Sequence, residues 1–152
     1  MSSRRAFLAR TSAALAGASL FPTAALARFG WAAGFTPIRG GVGTFTMQGG
    51  TMGYLATPGA LVVIDTQYPA PAATALAGLR ERSDRAVDVL VNTHHHGDHT
   101  SGNAVFSPDA RQFVAHREAA RLKKLATESR GDTEPEAYPT STYSESLRID
   151  LG

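Results

Sequence analysis

The chain has 152 residues, no cysteine and a formal net charge of +2 at pH 7. Without thiols it can form no disulfide, and it can supply no cysteine ligand to a zinc site. Three of the fifteen basic residues, Arg4, Arg5 and Arg10, lie in the first 27 residues. That leaves twelve basic against thirteen acidic residues, a net charge of −1, and no implied nucleic-acid partner.

Ser3-Arg4-Arg5-Ala6-Phe7-Leu8 matches the twin-arginine export pattern. A small, mildly apolar segment follows over residues 11–21, then Pro22. Ala25-Leu26-Ala27 has the small-x-small form that signal peptidase prefers. Residues 1–27 are therefore expected to be a twin-arginine signal peptide, with the export machinery as partner and the periplasm as destination. The apolar stretch falls short of the roughly 20 residues of a transmembrane helix. An uncleaved signal would leave an anchored form.

Residues 28–39 carry glycine and aromatic side chains without a clear period. Residues 41–47 and 51–57 read as two strands joined by Gln48-Gly49-Gly50. Pro58-Gly59 marks a tight turn before an apolar strand, residues 61–64, that ends on Asp65. Residues 69–82 are alanine-rich, with Leu76 and Leu79 spaced for one helix face. The next strand, residues 86–91, runs into His94-His95-His96-Gly97-Asp98-His99, which holds four of the chain's five histidines. Residues 112–115 read as a short strand and 117–126 as a helix, with Arg117, Arg121, Lys123 and Lys124 as a solvated face. Residues 127–146 are polar, with Pro135 and Pro139, and read as a long loop. Residues 147–152 alternate as a strand does. No repeat, heptad or glycine-rich phosphate cradle is present. Alternating strands and helices predict an α/β layered fold. The histidine run then falls at the C-terminal end of a strand, where open α/β sheets place their ligands.

In an extended segment His94 and His96 leave the same face and can grip one ion, while His95 points the other way. Asp98 and His99 lie just beyond, where the chain turns, within reach of a second ion. Imidazole and carboxylate suit zinc, and the run reads as a hydrolytic metal centre. An expression tag would sit at a terminus, without the interleaved Gly97-Asp98. His116 ends a strand that passes into a helix and reads as a helix-start residue. Asp65 approaches the same rim as the histidines. A structural role for it, accepting hydrogen bonds from loop amides under the motif, is favoured over ligation.

The stretch from Val89 to Asn103, with the upstream strand ending at Asp65-Thr66, resembles the metallo-β-lactamase-fold hydrolases and their His-x-His-x-Asp-His signature. The resemblance runs from about Gly41 to the end of the chain. It implies that residues 28–152 form the N-terminal half of an αββα sandwich, with the second half and the remaining ligand histidines missing. It implies that His94 and His96 ligate one zinc ion and that Asp98 and His99 ligate a second. Asp98 would also orient the hydroxide and handle a proton on the leaving group, making it the catalytic residue. Metal-bound hydroxide would attack a small-molecule ester, thioester or amide-type substrate, β-lactams included. The family's first hairpin overhangs the metal cleft, so Met47, Met52 and Tyr54 are read as pocket lining or as core. Two alternatives stand beside this reading: an iron-dependent sulfur dioxygenase relative, and a truncated metal-binding remnant without turnover. A half-sandwich expressed by itself is expected to be poorly soluble and to bind zinc weakly.

Overall fold

The computed structural model describes residues 34–131 and 136–151. The expected signal peptide over residues 1–27 lies outside the described residues. Seven strands form one sheet in chain order: β1 (Gly34–Arg39), β2 (Val42–Met47), β3 (Gly50–Ala56), β4 (Leu61–Ile64), β5 (Val87–Asn92), β6 (Ala110–His116) and β7 (Ser141–Tyr143). Neighbours from β1 to β4 pair antiparallel, and those from β4 to β7 pair parallel. Parallel neighbours need crossovers. These carry α1 (Pro69–Arg80), then α2 (Gly97–Thr100) and α3 (Asn103–Phe106), then α4 (Arg117–Arg130). The expected α/β class is what the chain adopts.

Because the order advances in one direction and such crossovers are right-handed, the helices gather on one face of the sheet. Leu76 and Leu79 of α1 and Phe106 of α3 pack there with Phe45, Met52, Tyr54, Val63, Leu90 and Phe113. Met52 and Tyr54 are thus core residues, and Met47 packs half-buried at its margin. The register sets Val42, Leu55 and Val62 side by side on the opposite face, with Ile64 beside Val91 in the next row. Val42 and Ile64 are 43% and 40% exposed.

The β2–β3 hairpin closes through Gln48 and Gly49, whose φ values of 49° and 83° are those of a two-residue turn with both residues left-handed. Gly50 opens β3 opposite Met47 and is not part of the turn. A Cβ on Gly50 would press into the buried Gln67 side chain, which donates to the Phe45 carbonyl at 3.0 Å.

Three sequence expectations are corrected. Residues 34–39 form an edge strand, although Gly34 and Pro37 blur its period. Pro37 is tolerated because it sits beside a register shift on that edge. The C-terminal strand is β7, three residues inside the expected loop, while residues 147–151 carry no strand. The Thr140 amide and hydroxyl both donate to the Phe113 carbonyl and set β7 against β6. Leu147, among the alternating residues after it, is 45% exposed. Lys123, read as solvated, is buried on α4. That helix also runs on to Arg130 and stops at Gly131, whose φ of 64° is the left-handed cap glycine accepts readily.

Candidate metal centre

The parallel strands β4 and β5 end side by side, with Ile64 opposite Val91. Each passes into a loop on the same rim, and the two loops are stitched together. Asp65 N donates to the Val91 carbonyl at 2.7 Å, and Thr66 N donates to the His99 carbonyl at 2.9 Å. Beneath them, Asn92 and Asn103 exchange side-chain hydrogen bonds at 2.9 and 3.0 Å. The Thr66 hydroxyl donates to Asn103 Oδ1 at 2.9 Å. Gly102 is pressed so closely on the Thr66 carbonyl and Ala72 that a Cβ would not fit. Asp65 and Gln67 take left-handed φ values of 64° and 52°. Such strain persists only where surrounding bonds over-determine it, as they do here.

Asp65 is buried and holds three donors. Oδ1 accepts from Thr93 N at 2.8 Å. Oδ2 accepts from the Thr93 hydroxyl at 2.7 Å and from His99 Nδ1 at 2.8 Å. The structural role expected for Asp65 is the one it has. These bonds also fix two ring tautomers. The Thr93 hydroxyl gives its single proton to Asp65, so its 3.0 Å contact with His94 Nδ1 is donated by the imidazole. With its proton on Nδ1, the neutral form of each ring, His94 and His99 alike, leaves the Nε2 lone pair available.

α2 begins directly after His96, whose extended φ and ψ of −66° and 151° carry the chain from strand into helix without a side-chain cap. This turn brings Asp98 and His99 back toward His94. The His94 and His99 ring centroids are 4.0 Å apart, and those of His94 and His96 are 4.8 Å apart. The His95 ring lies tilted against His96 at 4.6 Å and stands 6.4 Å from His94. His99 Nε2 lies 3.4 Å from Asp98 Oδ2. Burial pushes the His94 imidazole below its ordinary range, and the neighbouring His99 and His96 rings act in the same direction. The neutral ring this favours is the form that ligates a metal.

The donor chemistry fits a zinc-like ion. Three imidazoles and one carboxylate share one loop. His99 Nε2 and Asp98 Oδ2 are 3.4 Å apart, and ligands bonded at roughly 2.0–2.2 Å to a tetrahedral ion stand about that far apart. Among the described residues, however, no three His, Asp or Glu side chains converge on one point. His99 and Asp98 are brought together, and His96 turns its ring toward His94 and His95. His116 is no part of this cluster. Its Nδ1 accepts from Glu118 N as the cap of α4, and its Nε2 donates to the Ser144 carbonyl at 2.8 Å. Thr93, Thr66, Asn92 and Asn103 had no signal in the sequence beyond their closeness to the motif, because their partners lie on other elements.

The search of curated proteins returned no match. Solved structures do match. MIM-1 from Novosphingobium pentaromativorans aligns at 19% identity with a TM-score of 0.64, over 78% of this chain and 47% of that one. BJP-1, a subclass B3 metallo-beta-lactamase of Bradyrhizobium japonicum, aligns at 23% identity and a TM-score of 0.62, over 83% and 52%. MEM-A1, a subclass B3 enzyme from a soil metagenome library, aligns at 16% identity and 0.59, over 74% and 46%. The chain therefore spans about half the length of the structures it matches, and its sheet with helices on one face is a partial metallo-beta-lactamase sandwich. The profile of the metallo-beta-lactamase superfamily matches residues 46–144, from the β2–β3 hairpin through the histidine loop to β7, and the chain belongs to that superfamily.

Proposed function

We propose that this chain carries the metal-binding loop of a periplasmic, zinc-dependent hydrolase acting on a small-molecule ester, thioester or amide-type bond, β-lactams included. His94 and His96 would hold one ion, and Asp98 and His99 a second. The observation that carries this reading is the bracing of His94 and His99 through Nδ1 by Thr93 and Asp65, which turns Nε2 of His99 to within 3.4 Å of Asp98. A divalent metal bound there supplies Lewis acidity toward a carbonyl oxygen and activates water at neutral pH.

The chain's own residues do the rest. Asp65 keeps His99 and Thr93 in place, and Thr93 keeps the His94 ring oriented. Asp98 is about half exposed at the start of α2, where it can orient the attacking water and then pass a proton to the leaving group. Export through the twin-arginine route carries folded protein, so the metal would be loaded before transport.

The test uses the full-length natural protein purified from the periplasm. Metal analysis should find zinc. Hydrolysis of a chromogenic cephalosporin, a thioester or a lactone should stop on chelation and return with added zinc. A metal-free protein, or hydrolysis untouched by chelation, would overturn the reading. Bound iron with oxygen uptake on a persulfide would replace it with the sulfur dioxygenase alternative.

A further inference from the structure

Lys123 is the one lysine or arginine buried among the described residues, 2% exposed on α4. Its Nζ donates to Oε1 of Glu136 at 2.8 Å, while Oε2 of Glu136 is buried with no hydrogen-bond partner. Such a half-satisfied ion pair is a poor source of stability, because desolvation offsets the attraction. Its surroundings show what else it can do. His94, Asn92 and Thr100 share the lining of a gap too narrow for water with Lys123, Ala120 and Pro139. The segment carrying Glu136 is pinned a second time, where the Ala137 carbonyl accepts from Asn103 Nδ2 at 3.1 Å. Asn103 is in turn paired with Asn92 at the base of the histidine loop.

We propose that Lys123 and Glu136 are a positioning pair for His94. The ammonium ties α4 to residues 136–139, and the two together form a fixed wall behind the His94 imidazole. On the ring itself the hydrogen bond is the one to the Thr93 hydroxyl. The wall stops the ring turning about its Cβ–Cγ bond and keeps Nε2 directed outward. The proposal rests on the metal-binding reading above, and its test separates the two.

The experiment compares the full chain with a Lys123→Met/Glu136→Met double variant, which removes both charges and preserves volume so that folding is retained. The readouts are thermal melting, zinc affinity by competition with a chromogenic chelator, and the ¹⁵N spectrum of the His94 ring in metal-free protein. The double variant should melt within a few degrees of the parent yet bind zinc about tenfold more weakly. Its His94 ring should change from one Nδ1-protonated tautomer to an average of two. On a His94→Ala background the double change should cost no further zinc affinity. Unchanged affinity with an unchanged ring spectrum would overturn the proposal, and so would an undiminished loss on the His94→Ala background. If the double variant fails to fold, Glu136→Gln loosens the grip while keeping the Oε1 acceptor. It should weaken zinc binding in the same direction, and no loss would count against the pair. If the parent binds no zinc, the metal reading fails, and the ring spectra alone decide the role of the pair.

Discussion

Asp65 joins two strands and two prospective ligands through one carboxylate. Replacing it with alanine leaves Thr93 N, the Thr93 hydroxyl and His99 Nδ1 without an acceptor. With hydrogen bonds to charged groups contributing about 1.5–3 kcal/mol each and solvent making good part of the loss, Asp65→Ala should destabilise the fold by about 2–4 kcal/mol in denaturant titration. Freed imidazoles also lose their fixed tautomer, so zinc affinity should fall by about 10–100-fold in a chelator competition. A variant that kept both values would show that the ring tautomers are set elsewhere. Asp98→Ala should leave stability nearly untouched, because its side chain is about half exposed. It should lower the hydrolytic rate of the full-length enzyme by about 100-fold or more, read as turnover on a responsive substrate. The residue types at the site were legible because four ligand-type side chains crowd into six positions. Thr93 was not, since a threonine after a strand carries no mark until Asp65 is seen 28 residues upstream.

Between elements, Asp88 on β5 clamps the end of the sheet away from the histidine loop. It accepts from Leu61 N at the start of β4, from Nε and Nη2 of Arg85, and from Arg111 on β6. The Arg85 guanidinium holds its carboxyl below the ordinary carboxylate range, and the Leu61 amide adds to this. A carboxyl more acidic in the folded than in the unfolded chain stabilises fully above the unfolded value, and that contribution is lost as pH falls through the folded one. The stability gap between the parent and Asp88→Asn should therefore be widest near neutral pH and close below about pH 4, measured by urea titration at several pH values. A gap constant with pH would show that the clamp acts through shape alone. At the junction of α2 and α3, Gly102→Ala should cost about 1–3 kcal/mol, because the added methyl meets the Thr66 carbonyl and Ala72. Most elements were readable: β2 to β6 are apolar or alternating runs, and α1 has Pro69 at its start with Leu76 and Leu79 on one face. β1 was hidden by Gly34 and Pro37. β7 was missed because Thr140 and His116 hold it in place, and its own three residues show no strand pattern. Lys123 was misread because periodicity counts charges as outward. Only Glu136, 13 residues on, makes burial tolerable.

Across the whole molecule the two faces of the sheet differ. One is covered by helices, and the other shows Val42 and Ile64 to solvent. Exposed apolar surface of this kind promotes association. A polypeptide of residues 28–152 carrying Val42→Thr and Ile64→Thr should bind less of a hydrophobic dye and elute closer to monomer size than the parent sequence. Unchanged dye binding would locate the sticky surface elsewhere. The strictly sequential strand order also has a consequence for the chain's birth. A ribosome releases the protein from its amino terminus, and each new strand meets an edge that its predecessor has just formed. Asp65, Thr93, His99 and Asn103 all belong to two adjacent strands and the loops that leave them. The bracing of the histidine loop can therefore assemble once the chain has emerged to about Asn103, before α4 exists. The loop would thus be shaped during translation, and the wall of Lys123 and Glu136 would close behind it afterwards.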